Sequence, residues 1–196
     1  LKSTDRWQDF PPVITFQSVV DGTVSVPAVL DLHQVLPSGR SQLVLFDVNR
    51  NSIYSPFLRN DGSDVLRRMG EEDWSGVDVT IVRNQDVDDR NVVADRRCGD
   101  SAGCAALTSL ESQWPRNVFS LSHVAIPFPP DDPLYGSAGA AFAPSGYNLG
   151  NANAMGERQV LVIPAEDSNR LRYNPFFAYL KARALEFCGA CETGRD

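Results

Sequence analysis

Short apolar runs rich in β-branched residues recur along the chain, separated by polar turns and amphipathic stretches. Such runs are typical of strands buried on both faces, as in a parallel sheet covered by helices. They predict five strands, at residues 13–20, 42–48, 77–82, 118–121 and 159–165.

Apolar residues at helical spacing occupy several of the intervals between these runs. Residues 25–36 predict a helix with Ser25 as its N-cap and Pro27 in its first turn. Further helices are expected at residues 63–69, at 104–113, and from Asn174 to Gly189. This alternation predicts one α/β domain over residues 1–196, with a mostly parallel sheet flanked by helices.

The 196 residues carry a formal net charge of −7, with a pI near 4.8. Nucleic-acid binding requires concentrated Lys and Arg, so this composition argues against such a partner. No apolar run approaches the roughly 20 residues of a membrane-spanning helix, so no transmembrane segment is predicted. The sequence begins at Leu1 rather than Met, and we interpret it as a piece of a longer protein.

The four cysteines fall into two local pairs, Cys98 with Cys104 and Cys188 with Cys191. Disulfides or free thiols are favoured over a zinc site, because the pairs lie far apart and the first spacing is long for a zinc ligand pair. The cellular compartment, cytoplasmic or periplasmic, stays open.

His123 follows the predicted strand at 118–121 and precedes a proline-rich turn. Active-site residues of open α/β sheets occupy such carboxyl ends of strands, although a structural histidine would also fit there. The other histidine, His33, is expected to be a partly exposed residue of the helix at 25–36.

Three stretches resemble the carboxy-terminal half of bacterial α/β-hydrolases of the carboxylesterase and lysophospholipase-like kind. They read PPVITFQSVVDGTV (11–24), VFSLSHVAIPF (118–128) and RLRYNPFFAYL (170–180). The resemblance implies an α/β-hydrolase-like fold, in part incomplete, with Asp21 as the acid and His123 as the base of a Ser-Asp-His triad. It also implies a small ester or lipid-like substrate, no cofactor and no metal.

The identity of the acid has an alternative. Asp21 and His123 are about a hundred residues apart, whereas the family usually separates acid and histidine by a few tens. Asp86, Asp88 and Asp89 also follow a predicted strand and would restore that spacing, although clustered carboxylates are usually a solvated loop. Asp21 is preferred because its turn resembles the family more closely.

Ser101 in GDSAG matches the GxSxG pattern of a nucleophile elbow. The elbow requires an apolar strand directly before the serine, but the charged segment VVADRRC precedes it here. We therefore expect the nucleophile outside this chain, supplied by an amino-terminal hydrolase half, with that half or a second copy covering an exposed sheet edge. The competing hypothesis is a non-catalytic α/β binding or interaction domain with a structural histidine.

Overall fold

The computed structural model describes residues 10–48, 60–86, 89–98, 106–114, 126–136, 152–154, 169–171 and 173–193. The strands are β1 (Val13–Ser18), β2 (Ser41–Asp47), β3 (Asp78–Asn84), β4 (Asn91–Arg97), β5 (Ala106–Gln113), β6 (Ala152–Ala154) and β7 (Asn169–Leu171). The helices are α1 (Val26–Val35), α2 (Ser63–Glu71) and α3 (Phe177–Thr193).

The first five strands form one mixed sheet in the order β1-β2-β3-β4-β5. Strands β1, β2 and β3 are parallel to one another, whereas β4 and β5 are added antiparallel. Strands β6 and β7 pair separately. The general α/β class is thereby confirmed. Because β1, β2 and β3 point the same way, their carboxyl ends meet at one edge of the sheet, which we call the carboxyl edge.

Helices α1 and α2 cover one face of the sheet. Leu30 of α1 and Met69 of α2 pack with Leu43, Leu45 and other strand residues in one buried apolar cluster. At the outer surface, Arg68 of α2 donates to Asp31 of α1 over 2.9 Å, which links the two helices. This layer fixes where α1 begins, and therefore where the turn between β1 and α1 lies.

Helix α3 covers the opposite face. Phe176, just before α3, lies 5.4 Å from Phe46 between ring centroids and stacks on Trp114 at 6.2 Å. About two helical turns further along, Arg183 of α3 donates a hydrogen bond to Gln42, at the start of β2, over 2.9 Å. Helix α3 therefore runs antiparallel to β2, and its amino-terminal end lies at the carboxyl edge.

Two predictions about elements are wrong. Residues 106–113, expected in a helix, form the edge strand β5. No strand was predicted at residues 91–97, which form β4. Residues 106–113 pair with β4, where Val93 lies opposite Ser109, and this pairing overrides the local preference of the short segment for a helix. Helix α3 also continues past Gly189 to Thr193, because one glycine costs a helix only about 1 kcal/mol. The predicted strands at 118–121 and 159–165 lie outside the described residues.

His33 is fully buried, so the expectation of a partly exposed residue is also wrong. Its Nδ1 lies 2.5 Å from the hydroxyl of Ser41 and its Nε2 lies 2.8 Å from the hydroxyl of Thr15. These contacts join α1 to β1 and β2, and they satisfy both ring nitrogens without a charge. Burial lowers the pKa of His33 from its ordinary value of 6.5 to about 4.

No helix in the part of the chain that the structure describes is long and apolar enough to cross a membrane.

We predict that His33 makes the fold sensitive to mild acid. Between pH 6.5 and about 4 the unfolded chain binds a proton at His33 that the folded chain does not, so stability falls as pH falls through this window. The loss attributable to His33 should approach about 3 kcal/mol at the acid end. Urea unfolding of the wild type and of His33→Gln from pH 4 to 7.5 measures it. An equal pH dependence in both proteins would contradict the prediction.

Candidate functional site

Asp21 lies in the turn that leads from β1 to α1 at the carboxyl edge. The chain leaves β1 through the buried Val19 and Val20, and the amide of Val19 donates to the carbonyl of Phe46 over 3.1 Å. Ser25 then caps α1 by accepting from the amide of Ala28, as its predicted N-cap role requires. The turn is therefore held at both of its ends.

The Asp21 carboxylate accepts three hydrogen bonds. Its Oδ1 accepts from the backbone amides of Thr23 at 2.7 Å and Val24 at 2.9 Å. Its Oδ2 accepts from Nε2 of Gln17 at 3.2 Å. Because a carboxylate oxygen can accept two hydrogen bonds, Oδ2 keeps capacity for one further donor, such as an imidazole N–H. The side chain is half-buried, so part of the carboxylate remains accessible from the carboxyl edge.

A polar cavity of about 660 Å³ opens beside this turn. One wall is the stretch 21–27, and the other is the loop 60–62 together with the first residues of α2. The loop is built from local hydrogen bonds, since the side chain of Asn60 accepts from the amide of Gly62 and that of Asp61 accepts from the amide of Ser63. Asp21 thus faces a space large enough for a small-molecule ligand.

Gly62 fixes how closely this loop approaches β1. It has a φ of 75°, in the left-handed region, and it precedes the first residue of α2. A Cβ at this position would lie 2.7 Å from Cγ2 of Val19. Glycine is therefore required here both by the backbone conformation and by the packing of the loop on the end of β1.

The chain that follows His123 is fixed at the carboxyl edge. The carbonyl of Phe128 accepts from the amide of Asn174 over 2.8 Å, just before α3. The ring of Phe128 stacks on Tyr135 at 4.2 Å and packs against the cluster around Phe176. Asp132 caps the local turn by accepting from the amides of Leu134 and Tyr135, which favours a structural role for that residue.

The predicted site residues have different outcomes. His123, Ser101 and Asp88 lie outside the described residues, so the structure brings none of them to Asp21. Asp89 holds the turn between β3 and β4, accepting from the amide and the side chain of Asn91 over 2.9 and 3.0 Å. These contacts lower the pKa of Asp89. Its carboxylate therefore stabilises the turn between β3 and β4.

Several buried polar residues at the carboxyl edge were not identified from the sequence, among them Gln17 and Asn84. Gln17 is nearly inaccessible and contacts Asp21. Asn84 ends β3, and its Oδ1 is buried without a hydrogen-bond partner among the described residues. The same sequence feature could have identified both residues: each is a polar residue within or at the end of an apolar strand, where a buried polar group requires a hydrogen-bond partner.

Two cysteine side chains are described, and they differ in their state. Cys98 is disulfide-bonded, and a disulfide sulfur is not a thiolate ligand. Cys188 is a free, exposed thiol. Within the described ranges, no three His, Cys, Asp or Glu side chains are grouped so that they could hold a metal ion.

Comparison with known proteins adds no relative: no family model, curated protein or solved structure matches this chain.

We predict that Gly62→Ala destabilises the fold more than Gly39→Ala does. Both glycines have positive φ, at 75° and 73°, so both substitutions strain the backbone by about 1 kcal/mol. Only position 62 adds a clash, because a Cβ at Gly39 meets nothing within 4 Å. Gly62→Ala should therefore cost about 1–3 kcal/mol more than the control. Equal losses of unfolding free energy, measured in urea, would show that a methyl group at position 62 does not clash with Val19.

Proposed function

We propose that this chain contributes the acid and the base of a serine-type carboxylic-ester hydrolase, with Asp21 as the acid and His123 as the base. The nucleophile is supplied from outside the chain. The observation that carries the proposal is the Asp21 carboxylate, which is held at the carboxyl edge beside a cavity with one oxygen still able to accept a donor.

The proposed chemistry follows from that carboxylate. His123 removes the proton of a serine hydroxyl while the serine oxygen attacks the ester carbonyl, and it then gives the proton to the departing alkoxide. Water hydrolyses the acyl-enzyme by the same proton transfers in reverse order. Asp21 accepts the other imidazole N–H, which fixes the tautomer and stabilises the imidazolium in both steps.

The position of the segment after His123 supports this pairing. Trp114, at the end of β5, and Phe128 belong to one apolar cluster around Phe176. Strand β5 runs parallel to β3, so Trp114 lies at the carboxyl edge, as does the start of α3. The two described residues Trp114 and Phe128, which stand before and after His123 in the sequence, therefore lie at the same edge of the sheet as Asp21.

Strand β1 offers an edge for a strand that would carry the nucleophile. Among the described residues β1 pairs with β2 alone, so its outer edge is an edge of the described sheet. A strand added there in parallel would end beside Asp21, which is where a nucleophile elbow is needed. The non-catalytic alternative, an α/β binding or interaction domain, would use the same edge without any ester chemistry. A small ester or lipid-like molecule is the proposed substrate.

We predict that the complete gene product hydrolyses activated esters such as p-nitrophenyl butyrate, and that Asp21→Asn lowers kcat about 10³–10⁴-fold through loss of the imidazole's orienting partner. His123→Ala should act similarly. The matched controls are Asp86→Asn, Asp88→Asn and Asp89→Asn, which remove the alternative acids one at a time and should leave kcat within a few-fold of the wild type.

Each opposite result has a defined meaning. Loss of activity in Asp86→Asn, Asp88→Asn or Asp89→Asn, with Asp21→Asn active, would move the acid to the other loop. Loss in Ser101→Ala would place the nucleophile in this chain. A complete gene product that neither hydrolyses esters nor reacts with a fluorophosphonate probe would favour the non-catalytic alternative.

A further inference from the structure

Gln17 is an exception within β1. The strand is otherwise apolar or hydroxyl-bearing, and the Gln17 side chain is only 4% exposed. A buried amide costs roughly 1–3 kcal/mol unless it is hydrogen-bonded. An apolar residue of similar length would avoid that cost, so the contacts of the Gln17 amide indicate its role.

Both contacts of the Gln17 amide nitrogen are with acceptors. Nε2 donates to the backbone carbonyl of Ser18 at 3.1 Å and to Oδ2 of Asp21 at 3.2 Å. Since neither acceptor can donate, the NH₂ end of the amide and not its carbonyl end must face Asp21. The Ser18 carbonyl belongs to the strand backbone, so the donor that reaches Asp21 is tethered to the sheet.

The Asp21 carboxylate would otherwise be held on one side only. The amides of Thr23 and Val24 donate to Oδ1. Without a contact at Oδ2, the carboxylate could rotate about its bond to Cβ. Gln17 supplies that contact from the buried side, and the unused capacity of Oδ2 then faces away from the amide.

We propose that Gln17 is a positioning residue, which holds Oδ2 of the Asp21 carboxylate by a hydrogen bond from the buried end of β1. This inference rests on the proposed hydrolase function. Gln17 itself touches neither substrate nor nucleophile; it acts through Asp21 by limiting rotation of the carboxylate.

The first test is Gln17→Met in the complete gene product, which keeps the length and removes the donor. We expect kcat for p-nitrophenyl butyrate to fall about tenfold to a hundredfold with KM unchanged, because a misdirected carboxylate affects the chemical step. Gln34→Met is the matched control, since Gln34 is an exposed amide of α1 that bonds to Glu72. It should keep the wild-type kcat.

The second test is Gln17→Glu, whose effect should depend on pH. The introduced carboxyl is buried beside Asp21, so its pKa is raised by desolvation and by the neighbouring like charge. When ionised it donates nothing and repels Asp21; when protonated its O–H replaces the lost N–H. The kcat/KM of Gln17→Glu relative to wild type should rise as pH falls from 8 to 5, whereas the ratio for Gln17→Met stays flat. With the folded fraction of Gln17→Glu measured by circular dichroism at each pH, a purely structural role would leave the ratio per folded molecule flat.

The outcomes separate this inference from the function on which it rests. If Asp21→Asn is inactive but a folded Gln17→Met keeps the wild-type kcat, the positioning role is wrong and the triad stands. If Gln17→Met fails to fold, a flat Gln17→Glu ratio overturns the role and a rising ratio supports it. If Asp21→Asn is fully active, both proposals fail together.

Discussion

The parallel pairing of β1, β2 and β3 is the constraint on which the rest of this structure depends. Parallel neighbours cannot be joined by tight turns, so each pair requires a crossover, and here α1 and α2 supply the two crossovers on one face. Every crossover loop then leaves the sheet at the same edge. This brings the Asp21 turn together with the loop 60–62 and the start of α2, although about forty residues separate the two segments in the chain.

Two polar side chains, those of His33 and Gln17, are tolerated in this core because each is placed against specific partners. His33 stays uncharged between two hydroxyls. The amide nitrogen of Gln17 donates to a backbone carbonyl and to a carboxylate. The two arrangements lie on the same strand, since Thr15 and Gln17 are alternate residues of β1 and point to one face. Strand β1 thus anchors α1 with one side chain and the candidate acid with the next.

The sequence was informative where burial on two faces left continuous apolar runs. Strands β1, β2 and β3 and the helices α1, α2 and α3 lie close to their predicted places for this reason. Strands β4 and β5 were missed because their sequences are mixed: β4 ends in charged residues, and most of β5 is exposed, including Leu107 at 64%. Their identity comes from pairing with a distant partner, which local periodicity does not encode.

For the candidate site, the turn motif around Asp21 identified the residue but not its surroundings. The hydrogen bonds of its two oxygens depend on how tightly the chain turns after β1, and the role of Gln17 depends on that same turn. Likewise, nothing local to His33 shows that Ser41 and Thr15 will flank its ring, because both belong to other elements. Contacts between elements require the register of the sheet, which only the structure supplies.

The contact between Gly62 and Val19 has a consequence for how this protein can diverge. A backbone that leaves no room for a Cβ at 62 also limits how large the residue at 19 can become, since the two occupy the same small volume. Homologous sequences should therefore vary at these two positions jointly: a bulkier residue at 19 is compatible only with a loop lengthened or redirected before α2. The shape of the cavity wall, to which Val19 itself belongs, would then change together with the loop before α2.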